Sequence, residues 1–560
     1  MQQGRPTFGE LFTPKLVTVW REGYDLTALR ADAIAGLTVT IVALPLSMAI
    51  AIACGATPER GLYTAIVGGF LVAALGGSRF QISGPAGAFI VLIAATIARH
   101  GIDGMLLATL MAGVLQVAAG FLRLGTYIKF IPYPVTVGFT AGIAVVIFAS
   151  QLKDLFGLTL AGKEPGEIVP KLGALADAAG SVNVTSVALA LLAIATIVVL
   201  KRVRPRWPGM LIAVLVTGVA TWGLSLPVDT IASRFGGLPS GLPMPQVPDF
   251  PLAKVQAVMP DALAFALLGA IESLLSAVVA DGMSGRRHRS NCELVAQGVG
   301  NVASAMFGGI CVTGTIARTA TNVRAGARGP VAGMLHALFL LVFLTVGAPL
   351  AAHIPLAALA GILVTVAWNM AEKHAFATLL RTSRGDAVVL LMTFLLTVFR
   401  DLTEGIVVGF IIGAVLFIHR MAGATGIEAY APVVPADRGD KSDSRQPYNP
   451  TLATDSAVAV YRLTGAFFFA TASTVGVVLD RIADQRRAFV IDFSVVPFID
   501  STAANVIAGA GQRAVRNGGR VFITGANPAV QQMLVAAGVR EPVVSYRASI
   551  DDAVREVHGA

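Results

Sequence analysis

Charged residues are scarce in this sequence. Asp, Glu, Lys and Arg make up only 13% of the 560 residues, whereas 55% of the residues are hydrophobic. A soluble protein of this length needs far more charge to cover its surface. The shortage therefore excludes a wholly soluble protein and indicates that lipid surrounds most of the chain.

Cysteine is almost absent, and the motifs of several chemistries are missing. The three cysteines, Cys54, Cys292 and Cys311, form neither a CxxC pair nor an even disulfide framework, and the seven histidines are dispersed. We therefore expect no metal site and no cofactor. The chain has no GxxxxGK[ST] motif and no paired catalytic constellation, which argues against an ATP-driven pump and against an enzyme. The net charge of +9 lies mostly in short loops, so nucleic acid is not an expected partner.

The first thirty residues lack a long hydrophobic run. They are polar and carry Arg5, Lys15, Arg21 and Arg30, without the apolar h-region of a signal peptide. Residues 1–30 are therefore expected to form a cytoplasmic N-terminal segment.

A long series of apolar stretches follows, over residues 31–421. Many have the length that a bilayer requires, and several are short or interrupted by Gly and Pro. With the N-terminus inside, most basic clusters fall in cytoplasmic loops, as the positive-inside rule expects. We predict fourteen transmembrane segments, which begin near Ala31, Gly61, Pro85, Asp103, Pro134, Val184, Gly209, Asp261, Glu293, Thr315, Pro330, Pro355, Asp386 and Leu402.

Beyond residue 421 the composition changes to that of a soluble domain. Residues 422–450 are interpreted as a linker, and residues 451–560 as an independent cytoplasmic α/β domain. The residue patterns predict strands at Val458–Leu463, Phe489–Phe493 and Arg520–Thr524, and helices at Thr474–Arg487, Ser501–Arg516 and Pro528–Ala537.

Two short segments interrupt the apolar pattern in the same way. Gln81–Ala88 and Gly309–Arg318 are each a β-prone stretch that ends in small residues before a helix begins at membrane depth. They open the third and the tenth segments, which predicts an inverted repeat of seven plus seven segments. A helix that begins at mid-membrane directs unpaired N–H groups and the positive end of its dipole at the bilayer centre. Two such ends facing each other predict an anion site; two loops with kinked helices are the alternative.

Three side chains within the apolar segments are candidates for this site. Arg318 lies just after the second interruption, and a charge at membrane depth requires a partner or a polar cavity, so either an anion or a structural salt bridge satisfies it. Glu272 lies in the eighth segment, where a desolvated carboxyl can exchange a proton during transport. A permanent pair with Arg318, or a cap by backbone groups, is the alternative for Glu272. Ser47 follows the helix-bending Pro45 and either lines the site or bonds its own backbone.

Four runs of residues carry a resemblance to a known family: Asp32–Val39, Gly61–Thr64, Arg79–Pro85 and Ala317–Ala327. They resemble the SulP family of anion transporters, and the resemblance extends over essentially the whole chain. It implies a membrane all-α fold of fourteen segments in a 7+7 inverted repeat, with a core domain that moves against a gate domain, and usually a homodimer. It also implies that the anion binds at the ends of the third and tenth segments.

Within the family, three runs are similar to the branch that contains a bacterial C4-dicarboxylate transporter. These runs are Gly269–Leu275, Asp281–Gly285 and Val366–Met370. Many family members carry a glutamine directly after the proline of the first segment. This chain has Leu46 at that position, and the C4-dicarboxylate branch is similar in having an apolar residue there.

In the tail, the run Ile491–Thr502 is similar to the strand, loop and helix start of a known motif. On this run the tail resembles a STAS domain, the fold shared with anti-anti-sigma factors. In soluble relatives the serine after the aspartate is phosphorylated, and Ser501 holds that position. The resemblance implies possible regulation through Ser501 and a cytoplasmic protein partner; a simple helix cap by Asp500, Ser501 or Thr502 is the alternative.

The sequence as a whole predicts a secondary active transporter of small anions in a bacterial inner membrane, with both termini cytoplasmic. The expected substrate is sulfate, another inorganic anion or a C4-dicarboxylate, moved by alternating access and coupled to protons through Glu272. Bicarbonate transport with sodium coupling, a passive anion channel and an anion-sensing receptor with a STAS output stay open. The substrate is expected to contact Ser83, Gly84, Ala86, Gly314, Thr315, Arg318 and Ser47.

Overall fold

The computed structural model describes the chain from residue 7 to residue 558, with gaps. The described residues are 7–127, 132–162, 164–165, 167–204, 207–248, 251–400, 402–423, 426–429, 458–472 and 488–558. The chain divides into two compact units, Met1–Ile411 and Ile412–Ala560.

Helices make up nearly all of the regular structure before residue 424. In a bilayer an apolar segment must satisfy its own backbone hydrogen bonds, and the helix does so within one segment. The helices are α1 Phe8–Phe12, α2 Lys15–Arg21, α3 Leu26–Ala53, α4 Pro58–Tyr63, α5 Gly69–Leu75, α6 Ile90–Phe121, α7 Tyr133–Phe156, α8 Ile168–Asp177, α9 Val184–Val203, α10 Gly209–Gly223, α11 Ile231–Phe235, α12 Leu252–Ser284, α13 Ser290–Met306, α14 Ile316–Arg324, α15 Val331–Val342, α16 Ala348–Ala351, α17 Leu356–Met370, α18 Lys373–Thr382, α19 Arg384–Phe399 and α20 Leu402–Gly423.

The expectation of a mostly helical membrane fold is confirmed. Among the described residues, seven helical stretches are long and apolar enough to cross a membrane. Each of the fourteen predicted segments falls on a helix, and the boundaries differ. The third and fourth segments are joined in α6, where Gly101 leaves the helical conformation with a φ of 71°, a value that favours glycine. Helix α12 begins at Leu252 rather than near Asp261, because Pro260 is accommodated inside the helix instead of ending the preceding loop.

Glycines allow the helices of this unit to approach one another closely. A Cβ added to Gly113 of α6 would lie 2.6 Å from the carbonyl oxygen of Gly298 in α13, and the reverse distance is 2.5 Å. Likewise, a Cβ on Gly138 of α7 would lie 2.5 Å from the carbonyl oxygen of Leu390 in α19. Small residues at such crossings replace the hydrophobic effect as the source of helix association in lipid. One group of helices packs around α6 and α13, and another around α7, α17 and α19.

Two very short strands lie among these helices. Strand β1, Ser83–Gly84, precedes α6, and strand β2, Thr313–Gly314, precedes α14. They pair with each other in antiparallel orientation, although about 230 residues of sequence separate them.

The second unit contains a five-stranded sheet. Its strands follow the order β3 to β7, with β3 antiparallel to β4 and the other neighbours parallel. All of the first six residues of β5 are buried, as expected for a central parallel strand that is covered on both faces. The elements are β3 Gly426–Ala429, β4 Val458–Thr464, β5 Ala488–Val495, α21 Ser501–Arg516, β6 Arg520–Thr524, α22 Pro528–Ala536, β7 Ser545–Arg547 and α23 Ile550–His558.

The sequence-based map of this tail differs from the structure in three places. Strand β3 falls in the stretch interpreted as a linker, and neither β7 nor α23 was expected, since β7 has only three residues and its side chains are half-buried. The predicted helix at Thr474–Arg487 lies outside the described residues. The predicted strands and the helix at Ser501–Arg516 agree with the structure.

Candidate functional site

The pairing of β1 with β2 brings the two interrupted segments together. Ser83 lies opposite Gly314, and Gly84 lies opposite Thr313. The Thr315 N–H donates a hydrogen bond of 3.0 Å to the carbonyl oxygen of Ile82, which extends the ladder by one residue. A short 3-10 turn and α6 follow β1 directly, and α14 follows β2. The two helix starts that the sequence analysis singled out therefore lie side by side.

Neither helix start has a side-chain cap. Ala86 and Thr315 occupy the N-cap positions with extended backbone, and neither side chain accepts a hydrogen bond from the first turn. The Thr315 hydroxyl instead donates to the carbonyl oxygen of Ile82 at 3.2 Å. The first turn of α14 has an open side, where Ile316 is 40% exposed. Uncapped N–H groups and the positive dipole ends make this position favourable for an anion.

Arg318 places a full positive charge beside these helix starts. Its side chain is 1% exposed, and Nη2 donates a hydrogen bond of 3.0 Å to the carbonyl oxygen of Pro85. Within the described part of the chain, Nε and Nη1 have no hydrogen-bond partner and the guanidinium has no carboxylate partner. A Cβ on Gly84 would lie 2.4 Å from Nη1, so glycine is required for this approach. Arg318 thus connects the β1 side to α14 and keeps two donors unused.

Helix α13 supports the strand pair through one polar face. Gln297 donates from Nε2 to the Ser83 hydroxyl at 3.0 Å. Asn301 accepts from the Val312 N–H at 2.8 Å and donates to the Val312 carbonyl oxygen at 3.0 Å. Glu293, on the same face, accepts from the Ser78 N–H at 2.9 Å. These three side chains recur every fourth residue in an apolar helix, a signal that the sequence analysis did not use.

Helix α12 contacts β2 and the segment just before β1, and it carries Glu272. The Gly269 carbonyl oxygen accepts from the Thr313 hydroxyl at 3.1 Å, and the Ser273 hydroxyl accepts from Gln81 Nε2 at 2.8 Å. Glu272 lies between these two contacts in sequence and is half-buried, and its carboxyl makes no hydrogen bond or ion pair to any described residue. The alternative of a permanent pair with Arg318 therefore finds no support in the described contacts.

The remaining candidates differ in their surroundings. Gly314 packs against Gln81, whose Nε2 would lie 2.0 Å from an added Cβ. Ser47 is fully buried, and its hydroxyl has no partner within the described ranges. The Ser47 carbonyl oxygen lies against Gly61, 2.0 Å from the position of a Cβ there. Gly61 thus allows α4 to approach α3 at Ser47, and no described hydrogen bond connects the Ser47 hydroxyl to the strand pair.

The arrangement offers hydrogen-bond donors and positive charge. Arg318 Nε and Nη1 and the two helix starts are suited to the oxygen atoms of a small anion. No group of three or more potential metal ligands occurs among the described residues.

In the second unit, Asp500 rather than Ser501 caps α21. The Asp500 carboxylate accepts from the Ala503 N–H at 2.8 Å and from the Phe469 N–H at 2.9 Å. Ser501 is exposed at the first position of the helix and makes no hydrogen bond to a described residue. Its hydroxyl is accessible for modification, and a phosphate there would gain from the helix dipole.

Family models match most of the chain. The sulfate permease family matches residues 29–393, and the STAS domain matches residues 449–553. A Bacillus subtilis (strain 168) protein named "Putative sulfate transporter YvdB" is 39% identical, over 92% of this chain and 95% of its own length. The bicarbonate transporter BicA of Synechocystis is 32% identical, over 90% of each chain.

The architecture is also shared with a mammalian protein. The murine Slc26a9 anion transporter, solved in an inward-facing state, aligns with a TM-score of 0.84 over 100% of this chain and 96% of its own. Its sequence identity of 19% supports a common fold and no more.

Proposed function

The chain belongs to the sulfate permease family and carries a STAS domain, and on that premise we propose that this anion transporter moves small oxyanions by secondary active transport. The substrate class is sulfate or a C4-dicarboxylate, bound where β1 and β2 meet. The observation that carries the proposal is the buried Arg318, whose Nε and Nη1 have no partner among the described residues. An unpaired buried cation is costly, and a bound oxyanion would compensate it.

Proton coupling is assigned to Glu272. Its carboxyl is half-buried in α12, one residue before Ser273, which bonds Gln81 next to the strands. A carboxyl without a fixed partner can take up and release a proton as its surroundings change. Protonation would lower the negative charge near the anion, so proton and anion would bind together and cross in the same direction.

Alternating access would come from movement of one helix group against the other. The strand pair joins α6 to α14, while α7 and α17 contact Gly87 at the first turn after β1 through Ile147 and Met370. A shift of the α7 group would therefore open or close the space in front of the helix starts.

We also assign the protein to a bacterial inner membrane, as a homodimer with cytoplasmic termini. The exposed Ser501 is assigned to regulation by a protein partner.

Reconstitution in liposomes with and without a proton gradient tests the proposal. Uptake of labelled sulfate, with succinate, fumarate and bicarbonate as competitors, would identify the substrate. Arg318→Ala should lower the apparent affinity by about 10- to 100-fold, since a hydrogen bond to a charged group contributes roughly 1.5–3 kcal/mol. Arg324→Ala, exposed on the same helix, is the matched control and should leave affinity unchanged.

The coupling role has a separate readout. Glu272→Gln should keep sulfate binding and abolish the dependence of uptake on the proton gradient. Gradient-dependent accumulation by the Gln variant would rule out Glu272 as the coupling group. Substrate that never accumulates above its electrochemical equilibrium, together with an absence of counterflow, would indicate a passive channel instead.

A further inference from the structure

A cavity of about 410 Å³ lies between the two helix groups, at the end of the bundle where α3 ends. Its walls come from the end of α3, the first turns of α6, the second half of α7, and α8 and α11. The lining residues on α6 that are nearest in sequence to the helix start are Ile90 and Val91, which follow Ala86 within five residues. The cavity thus leads from the loops at this end toward the proposed anion site.

Among the residues that the structure describes, five charged side chains line the cavity, and four of them form two ion pairs. Arg234 Nη1 lies 3.0 Å from Asp154 Oδ1, and Lys171 Nζ lies 3.0 Å from Glu164 Oε1. The fifth, Lys153, is half-buried and has no ion-pair or hydrogen-bond partner for its ammonium within the residues that the structure describes. The described part of the lining therefore has an excess of one positive charge, and that charge belongs to Lys153.

Lys153 lies on α7, a short distance along the helix from the residue that packs near the helix starts. Ile147, on the same helix, approaches the Cβ position of Gly87 to 3.1 Å. Lys153 is six residues farther along α7, which corresponds to about 9 Å along the helix axis. At physiological ionic strength this distance is close to the Debye length of about 8 Å, and the apolar walls reduce the screening further.

We propose that this cavity is a second anion-binding position, a vestibule in which the Lys153 ammonium holds a small oxyanion before it reaches the paired helix starts. The proposal rests on the proposed function for the direction of travel, and on the cavity and its charges for the binding. Concave sites lined by one sign of charge raise the local concentration of the opposite ion and so its rate of entry. The two ion pairs fix the surrounding side chains without using the Lys153 charge.

The first test measures the electrostatics of the cavity without any transport. Ala94 lines the cavity on α6 and is half-buried, so Ala94→Cys places a thiol in it. The parent protein, whose three cysteines are buried, gives the background rate. An anionic methanethiosulfonate should modify the new thiol faster than a cationic one of similar size. Adding Lys153→Glu should reduce the ratio of the two rates by roughly tenfold, whereas Lys153→Arg should preserve it.

Sulfate uptake by liposomes provides the second test. Lys153→Glu should raise KM by roughly three- to tenfold with less than a twofold change in maximal rate, and the effect should shrink at high ionic strength. Lys153→Arg should behave like the parent, and Lys254→Glu, in the first turn of α12 and outside the cavity lining, is the control.

The outcomes separate this inference from the proposed function. The vestibule would be refuted if the ratio of anionic to cationic modification rates at Ala94→Cys were the same with and without Lys153→Glu, whatever the transport result. A parent that transports no anion but has a charge-selective cavity would refute the proposed function and leave the anion-attracting cavity. A KM that is the same for Lys153→Glu and the parent at low salt would refute the capture role of Lys153.

Discussion

Adding a single methyl group at Gly84 should disable the anion site without removing any of its donors. The Cβ of alanine would lie 2.4 Å from Arg318 Nη1, whereas its next neighbour, the Ala65 Cβ, is at a comfortable 3.5 Å. The guanidinium must therefore move by about 1 Å to reach an ordinary van der Waals distance. That movement breaks or weakens the 3.0 Å hydrogen bond from Nη2 to the Pro85 carbonyl oxygen.

The size of the effect follows from the contacts that are lost. A hydrogen bond to a charged group contributes about 1.5–3 kcal/mol, and each 1.4 kcal/mol is a factor of ten. We expect Gly84→Ala to weaken sulfate binding by about 10- to 100-fold, with a stable fold. The assay is uptake and equilibrium binding by purified protein in liposomes, with Gly282→Ala, where no atom lies within 4 Å, as the control.

A double-mutant cycle shows whether the methyl group acts through Arg318. If it does, Gly84→Ala should add almost nothing in an Arg318→Ala background, because neighbouring residues that share one interaction are not additive. Full additivity, or binding by Gly84→Ala equal to that of the parent, would refute the reasoning.

Three further predictions concern stability. Asn301→Leu breaks the bonds of 2.8 and 3.0 Å to the backbone before β2 and should lower the free energy of unfolding by about 2–5 kcal/mol, measured by thermal unfolding in detergent; an unchanged midpoint would contradict it. Gly61→Ala should cost about 1–3 kcal/mol through overpacking against a backbone oxygen, whereas Gly282→Ala should be neutral or stabilising in the same assay. The pKa of Glu556 is lowered, mainly by its hydrogen bond from Arg547. The stabilisation from that carboxylate is therefore complete above its unfolded pKa of about 4.3 and lost as the pH falls through the lower folded value. Glu556→Gln should make the tail more sensitive to proteolysis at pH 7 than the parent, and the difference should shrink below pH 4.

The sequence predicted the placement of the two helix starts and of Arg318 because these features are local. A β-prone stretch, small residues and a following helix can be recognised within ten residues, and their repetition indicated the symmetry. The requirement for glycine at position 84 was not predicted, since it depends on the approach of an arginine 234 positions later. The support from Gln297 and Asn301 was missed for the same reason, because periodicity shows that a helix has a polar face but not what that face contacts.

In the C-terminal domain, too, the features that depend on neighbouring residues were predicted, and those that depend on distant residues were not. The strands at Val458 and Arg520 were predicted from their own residues, whereas β3 was read as linker because its role depends on pairing with β4 some thirty residues later. Asp500 and Ser501 were equivalent candidates for the cap of α21 from sequence alone. Only the backbone geometry distinguishes them, and it assigns the cap to Asp500.

The pairing of Ser83–Gly84 with Thr313–Gly314 can form only after the second strand has been synthesised. At roughly 5–20 residues per second, the ribosome needs about 10 to 50 seconds to add the intervening chain. Gln81 and Ser83 are therefore synthesised well before their partners, because Ser273, Gln297 and the second strand come only in the last part of that interval. The first half must therefore be inserted before its polar groups have their hydrogen-bond partners. A nascent chain halted before residue 313 would have helices in lipid but no binding centre.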